Sequence, residues 1–226
     1  MPVQSPASQA DHSAESAAEI AVKYLGLIEY EIALQKQREI HAVVASEQAP
    51  NTLLLLEHPS VYTAGKRTQE FERPRNGTPV IDVDRGGRIT WHGPGQLVGY
   101  PIIRLRNPRE LVGFVRIIEG ALIKVCDYFG INAVRVDDRS GVWVSDARGD
   151  RKIAAIGIRV ASGVTMHGFA LNVSPDLTPF AEIVPCGIDD ASVSSLSIEA
   201  ERDITIFETI PIVEKYVLEA LSKVSL

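Results

Sequence analysis

A series of short apolar runs, broken by glycine, proline and polar residues, limits most strongly how this chain can fold. The runs lie at residues 22–27, 52–56, 80–83, 97–105, 132–136, 141–145, 152–160 and 164–173. Each has the length and character of a β-strand rather than of a long helix. The runs at 141–145 and 152–160 predict a hairpin with a longer loop through residues 146–150. We therefore predict a mixed, largely antiparallel sheet.

Three segments carry the three- and four-residue apolar spacing of amphipathic helices, at residues 29–47, 111–129 and 205–221. Gly130 is expected to end the second helix, because glycine readily adopts a left-handed conformation. Residues 57–66 and 71–79 are expected to be loops, and residues 176–183 to hold a short helix. The fold class is therefore α/β (α+β), with one domain over residues 20–226 and a disordered tail over residues 1–19.

Composition and charge exclude several classes of function. The 226 residues carry a net charge of −6, which argues against a nucleic-acid-binding protein. No apolar stretch approaches the roughly 20 residues of a membrane span, and the N-terminal residues do not form a signal peptide. Two cysteines, Cys126 and Cys186, make no disulfide framework. We expect a cytoplasmic protein without a nucleic-acid or membrane partner.

Cys186 is the residue most suggestive of covalent chemistry. It lies between Pro185 and Gly187, which predicts a turn rather than a helix interior or a central strand. A thiol of ordinary pKa, ~8.5, is only partly ionised at neutral pH, and a nearby ammonium favours the thiolate. Lys152, at the start of a predicted strand, could supply that charge. We hypothesise that Cys186 and Lys152 meet in a cleft, whereas Cys126 fits a core position in the second helix.

A second candidate region is the glycine-rich stretch at residues 85–95. Its glycines allow tight turns or the close approach of a ligand to the backbone, and Arg85 and His92 bracket the loop. It lacks the Gly-Lys-Ser/Thr ending of a phosphate-binding loop. His92 and His167 each precede a glycine, and for either one the pattern favours a structural role. There is no His-Glu-x-x-His pattern that would indicate zinc.

Several long motifs, in the same order along the chain, resemble those of the lipoyl(octanoyl) transferases. Residues 85–96 read RGGRITWHGPGQ and residues 152–159 read KIAAIGIR. Residues 167–173 read HGFALNV, and residues 185–188 read PCGI. Residues 57–63, EHPSVYT, also match. Trp91 stands where the family usually has Tyr or Phe, and residues 193–196 differ from its usual Thr-Ser-Leu-like motif.

The resemblance implies the fold of the biotin and lipoate protein ligases, a mixed sheet with helices on one side. It implies that Cys186 forms an acyl-thioester and that Lys152 favours its thiolate and later acts as a base. The residues that would line the acyl pocket come from three of the motifs. They are Arg85, Gly86, Gly87, Arg88, Ile89, Thr90, Trp91, His92, Ala155, Ile156, Gly157, Gly168, Phe169 and Ala170.

The resemblance also implies the substrates. An octanoyl or lipoyl group would pass from acyl carrier protein to a lysine of a lipoyl domain. Such domains occur in 2-oxoacid dehydrogenase E2 subunits and in glycine cleavage H protein. Because a thioester donor is already activated, no metal, nucleotide or other cofactor is expected. The acidic carrier protein would need a local basic surface, for which the candidates are a first cluster of Lys66, Arg67, Arg73 and Arg75 and a second of Arg104, Arg106 and Arg109.

Two other functions remain open from the residues alone. An ATP-using lipoate ligase of the same fold would not need Cys186, and competition by nucleotides would identify it. A non-catalytic module that binds lipoyl domains or acyl carrier protein would keep its function after the substitution Cys186→Ser.

Overall fold

The computed structural model describes residues 19–74, 77–183 and 191–226. Cys186 and its neighbours from 184 to 190, Arg75, and residues 1–18 of the predicted tail lie outside these ranges. The strands are β1 (Ile20–Leu27), β2 (Asn51–Glu57), β3 (Val61–Ala64), β4 (Val80–Asp82), β5 (Thr90–His92), β6 (Gln96–Ile102), β7 (Val134–Val136), β8 (Arg139–Asp146), β9 (Gly149–Ala161), β10 (Val164–Asn172) and β11 (Ser192–Val193). The helices are α1 (Tyr30–Ala45), α2 (Leu111–Tyr128), α3 (Leu196–Glu199) and α4 (Ile206–Leu221).

The described strands form two sheets. The main sheet has the order β1-β2-β6-β10-β9-β8-β7, and β11 also pairs with β9. Its pairs are antiparallel except for β1 with β2 and β11 with β9, which confirms the predicted mixed, largely antiparallel sheet. The smaller sheet has the order β4-β3-β5. Strand β3 of this sheet lies within residues 57–66, so the prediction of a loop there is wrong in part.

Strand β2 shows why its sequence is an uninterrupted apolar run. Leu53 and Leu55 pack in the cluster formed with α2 and α4, whereas Leu54 and Leu56 pack in the cluster formed with α1. Successive side chains point to opposite faces of a strand, so both faces of the sheet are covered here. The helices therefore pack on both faces, and the expectation of helices on one side is wrong.

Local signals place the ends of the long helices correctly. Gly130 follows α2 with φ of +77°, and the amides of Gly130 and Ile131 donate to the carbonyls of Asp127 and Cys126. This is the paired hydrogen-bond pattern of a glycine-terminated helix. Thr205 caps α4, because its hydroxyl accepts from the Glu208 amide at 3.1 Å.

Other connections differ from the prediction. The hairpin between β8 and β9 turns through Ala147 and Arg148 alone, because Asp146 pairs directly with Gly149. The longer loop predicted there is wrong. Residues 178–182 form one short 3₁₀ segment, close to the predicted short helix. Strand β11 and helix α3 are too short to give a periodic signal in sequence.

Gly99 in β6 packs directly against a core side chain, with no room for a side chain of its own. A Cβ atom at this position would lie 2.1 Å from the buried Phe169 ring. We expect Gly99→Ala to lower the free energy of unfolding by about 1–3 kcal/mol, because the well-packed ring has little room to move. Urea denaturation would measure the change. The double variant Gly99→Ala/Phe169→Leu should lose less stability than the sum of the two single variants; simple additivity would contradict the assigned contact.

Candidate active site

A cavity of about 600 Å³ lies between the main sheet and the small sheet. Its floor is formed where β9 and β10 pair, with Ala155 opposite Ala170 and Gly157 opposite Gly168. All four residues are small, so the floor of the cavity is flat. The volume lies within the range typical of small-molecule sites. The arrangement suits a thin, extended ligand lying along the two strands.

Arg85 holds the opposite wall of the cavity. Its buried guanidinium donates to the carbonyl oxygens of Arg88 and Thr63, both at 2.8 Å, and to the Thr63 hydroxyl at 2.9 Å. A Cβ atom added to Gly157 would lie 3.0 Å from Arg85 Cδ. The glycine therefore lets the arginine lie across the floor, and the arginine fixes the loop at residues 85–88.

Strand alternation divides the predicted pocket residues into two groups. Thr90 and His92 of β5 line the cavity, whereas Ile89 and Trp91 pack in a separate cluster with Phe180. Most of the predicted set does line the cavity, namely Arg85, Gly87, Arg88, Thr90, His92, Ala155, Ile156, Gly157, Gly168, Phe169 and Ala170. The predicted residues that do not line it are Gly86, Ile89 and Trp91.

Lys152 lies at one end of the cavity and is only 6% exposed. Its register partner in β11 is Val193, and its carbonyl accepts from the Ser194 amide at 2.9 Å. It also lines a second cavity, of about 260 Å³, which it shares with Ala191. Ala191 is the first described residue after the segment that contains Cys186. The chain therefore re-enters the described fold close to the lysine, while Cys186 itself lies outside the described residues.

Several residues outside the predicted pocket set also line the cavity, and they come from distant parts of the chain. Tyr30 begins α1 and Tyr100 lies in β6. Asp137 and Asp138 precede β8, and Arg139 and Ser140 begin it. Arg67 and His167 also line the cavity. Tyr30 and Tyr100 belong to runs that predict only core packing, so no local pattern distinguishes them.

Burial lowers the pKa of three histidines that line the cavity or lie next to it. Burial lowers the pKa of His92 to about 3, with His58 contributing further. Burial and the charge of Arg85 lower the pKa of His167 to about 3. His58, which donates to the Ile28 carbonyl and accepts from the Tyr100 hydroxyl, has its pKa lowered to about 4 by burial. An apolar ligand would therefore meet no imidazolium charge.

A buried chain of hydrogen bonds connects the cavity to the strand that carries Lys152. His92 Nδ1 lies 2.7 Å from Gln96 Oε1, and Gln96 Nε2 donates to Asn172 Oδ1 at 2.9 Å. Asn172 Nδ2 donates to the Ser194 carbonyl at 2.9 Å. Each group therefore has a partner, as buried polar groups require. This network gives His92 and Gln96 a positioning role in the wall of the cavity.

A protein-family model and several known proteins match most of this chain. Residues 29–218 match the family model of the lipoyl protein ligase A/B catalytic domain. An octanoyltransferase of Acidothermus cellulolyticus is 59% identical over 89% of this chain and 92% of its own length. An octanoyltransferase of Salinispora tropica is 56% identical over 88% of this chain and 94% of its own length. An octanoyltransferase of Mycobacterium avium is 55% identical over 95% of this chain and 92% of its own length.

Solved structures show the same fold at low sequence identity. A lipoate-protein ligase A bound with ATP has a TM-score of 0.65 at 14% identity, over 91% of this chain and 86% of its own. A bipartite lipoate protein ligase from Thermoplasma acidophilum, described with its E2 lipoyl domain, has a TM-score of 0.64 at 15% identity. The match covers 90% of this chain and 84% of the ligase chain. The described residues contain no helix long and apolar enough to cross a membrane. They also contain no group of three or more His, Cys, Asp or Glu side chains placed to hold a metal ion.

The buried histidines predict an acid-sensitive fold. An unfolded histidine binds a proton near pH 6.5, whereas His58, His92 and His167 have folded-state pKa values of about 4, 3 and 3. Below pH 6.5 the unfolded state therefore binds more protons, and stability is lost as pH falls. Each histidine contributes up to about 1.4 kcal/mol per pH unit.

Urea unfolding between pH 7 and pH 5 would measure this slope. His58→Gln preserves one donor and one acceptor for the Ile28 carbonyl and the Tyr100 hydroxyl, and should make the slope shallower. An identical slope in this variant would show that His58 does not titrate as assigned.

Proposed function

Because the chain belongs to the octanoyltransferases of the lipoyl protein ligase A/B catalytic-domain family, we propose that it transfers an octanoyl group in protein lipoylation. The donor in this proposal is the thioester of acyl carrier protein, and the acceptor is a lysine of a lipoyl domain. The observation that carries the proposal is the buried ammonium of Lys152 at one end of a cavity with an alanine and glycine floor. The proposed location is the cytoplasm, where the thiol would stay reduced.

The floor has the length that an octanoyl chain needs. From Lys152 to Gly157 it follows five residues of β9, about 17 Å at 3.3–3.4 Å per residue. This is longer than an extended eight-carbon chain. The small side chains of the floor let the acyl chain lie close to the backbone, and the neutral histidines place no imidazolium charge against it. The donor carbonyl would then lie near Lys152, and the methyl end would point toward Gly157.

The first chemical step is attack on the donor thioester. The Cys186 thiolate adds to the carbonyl carbon, the carbon–sulfur bond to the carrier breaks, and the carrier thiolate leaves and takes up a proton. The octanoyl group is then bonded to Cys186 Sγ. The Lys152 ammonium stabilises the attacking thiolate electrostatically. The segment with Cys186 joins the described fold at Ala191, beside Lys152, which supports this pairing.

The second step forms the amide. The amine of the acceptor lysine attacks the octanoyl thioester, Lys152 in its neutral form takes the proton, and Cys186 leaves as a thiolate. The Lys152 ammonium can supply the proton that the departing carrier thiolate takes up in the first step, which leaves Lys152 neutral for the second step. One side chain thus serves both half-reactions. No nucleotide or metal enters either step, because the donor is already activated.

Intact-protein mass spectrometry with octanoyl-acyl carrier protein tests the covalent intermediate. The wild type should gain one octanoyl group, which added lipoyl domain then removes. Cys186→Ser should gain none, and Lys152→Met should form and discharge the adduct slowly. Cys126→Ala is the matched control, because Cys126 is fully buried and burial raises its thiol pKa to about 12. Transfer by Cys186→Ser at the wild-type rate, or transfer of free octanoate only with ATP, would refute the mechanism.

The carrier protein should dock near Lys66 and Arg67. Both side chains are exposed and have no hydrogen bond or ion pair to the described residues, and Arg67 lines the cavity. Three other members of the two predicted clusters are engaged within the fold: Arg73 pairs with Glu70 and Asp82, Arg104 pairs with Glu47 and donates to the Ala45 carbonyl, and Arg106 donates to the Ser225 carbonyl. Arg109 of the second cluster is also exposed, but it does not line the cavity as Arg67 does, so the first cluster offers an acidic partner exposed cations next to the site.

Charge reversal at Lys66 and Arg67 should slow acylation by the carrier protein and weaken its dependence on salt. The matched control is Arg109→Glu, which changes an exposed arginine of the second cluster outside the cavity lining. Stopped-flow acylation rates at low and high ionic strength would measure both effects. Equal effects of the two changes would place the carrier protein elsewhere.

A further inference from the structure

Trp143 contacts the ammonium of Lys152 directly. The two residues are register partners in the β8–β9 hairpin, and Lys152 Nζ lies 4.5 Å from the centroid of the indole ring. This distance is within the range of a cation–π interaction. Trp143 is 1% exposed and Lys152 is 6% exposed. Such contacts are stronger where the two groups are desolvated, and both side chains are largely buried.

Among the described residues, the Trp143 ring is the group that contacts the Lys152 ammonium. Among residues 19–74, 77–183 and 191–226, no carboxylate forms an ion pair with Lys152 Nζ and no side chain or carbonyl accepts a hydrogen bond from it. The neighbouring Arg151, by contrast, pairs with Asp146 and Glu199. Adjacent cations on one strand therefore have opposite kinds of partner: two carboxylates for the arginine, and an aromatic face for the lysine.

The fold holds the ring and the lysine stem in fixed positions. A bulge in the β8–β9 pairing lies between Val142 and Trp143. Just before it, the buried Glu119 of α2 accepts from the Gly141 amide at 2.9 Å. Gly141 has φ of +111°, and a Cβ atom there would lie 3.4 Å from Lys152 Cε. The lysine stem thus lies between the Gly141 backbone and the Trp143 ring.

We propose that Trp143 is a positioning residue that keeps the Lys152 ammonium at the transfer site without neutralising it. A carboxylate in its place would attract the cation at least as strongly. It would also cancel the positive potential that favours a nearby thiolate. An indole face attracts a cation through its quadrupole and carries no net charge. The full charge of the lysine therefore remains available to the nucleophile. This inference rests on the proposed function, because it assigns Trp143 a role in that reaction.

Alkylation of Cys186 by iodoacetamide, measured against pH and localised by peptide mapping, tests the proposal. Trp143→Leu should slow alkylation at pH 7 by roughly tenfold and move the midpoint of the pH–rate profile up by about one unit. Trp143→Phe keeps an aromatic face and should stay within about threefold of the wild type. The matched control is Phe129→Leu, which removes the ring that Arg202 contacts at 5.6 Å, remote from the cavity.

Fluorinated tryptophan provides a second measurement that preserves the shape of the core. The chain has two tryptophans, Trp91 and Trp143. Progressive ring fluorination weakens the negative potential of the indole face with little change in size. The alkylation midpoint should rise stepwise with the number of fluorine atoms. The same labelling in the Trp143→Phe variant, where only Trp91 carries fluorine, should leave the midpoint unchanged.

The outcomes separate this inference from the proposed function. If Lys152→Met raises the midpoint but Trp143→Leu and fluorination do not, the role of Trp143 is overturned and the Cys186–Lys152 pair stands. If Lys152→Met also leaves the midpoint unchanged, the proposed pair itself fails. A graded rise with fluorination, together with near-wild-type behaviour of Trp143→Phe, supports the positioning role.

Discussion

The antiparallel pairing of β9 with β10 is the constraint on which the site depends. Its register runs from Val164 opposite Ala161 to Leu171 opposite Ala154. Because side chains alternate between faces, this register directs Phe169 and Leu171 to the core formed with α2 and α4. The same register directs the alanines and glycines of the cavity floor to the other face. A shift of one residue would exchange the two sets, burying the floor and exposing the core.

Buried charge is handled differently in different parts of the molecule. Glu119 accepts from Arg116, Arg135 and the Gly141 amide, so its carboxylate is paired in the usual way. The histidines of the cavity avoid the cost of burial by remaining neutral. Lys152 has no carboxylate partner among the described residues, and its ammonium instead faces an aromatic ring. An ammonium without a counter-charge is costly in a purely structural position and useful in a catalytic one.

The small sheet and the main sheet are joined at the other end of the cavity. Asp84, which follows β4, accepts from His167 Nε2 at 2.8 Å and also pairs with Arg159. His167 has φ of +58° within β10, and its amide donates to Gln37 of α1 at 2.9 Å. A non-glycine residue in this conformation is unusual in a strand and persists only where its surroundings fix it. These contacts fix the separation of the two sheets, and hence the depth of the cavity.

The local features of the fold can be predicted from the amino-acid sequence alone. Helix ends such as Gly130, the principal strands and the small residues of the floor follow from propensity, periodicity and motif order. Tertiary structure decided what depends on pairing between distant segments. Strand β3 exists because β4 and β5 pair with it, although its four residues are too few for a periodic signal.

The same reason explains which individual side chains reach the site. Ile89 and Trp91 share a motif with Thr90 and His92, yet the pairing of β5 with β3 turns the two sets to opposite sides. Tyr30 and Tyr100 reach the cavity only through packing of α1 and β6. The two basic clusters look equivalent in sequence, and only the folded chain shows that Arg73 and Arg104 already have partners. Local sequence patterns reflect the secondary-structure propensity of a residue, whereas the fold determines which distant residues it contacts.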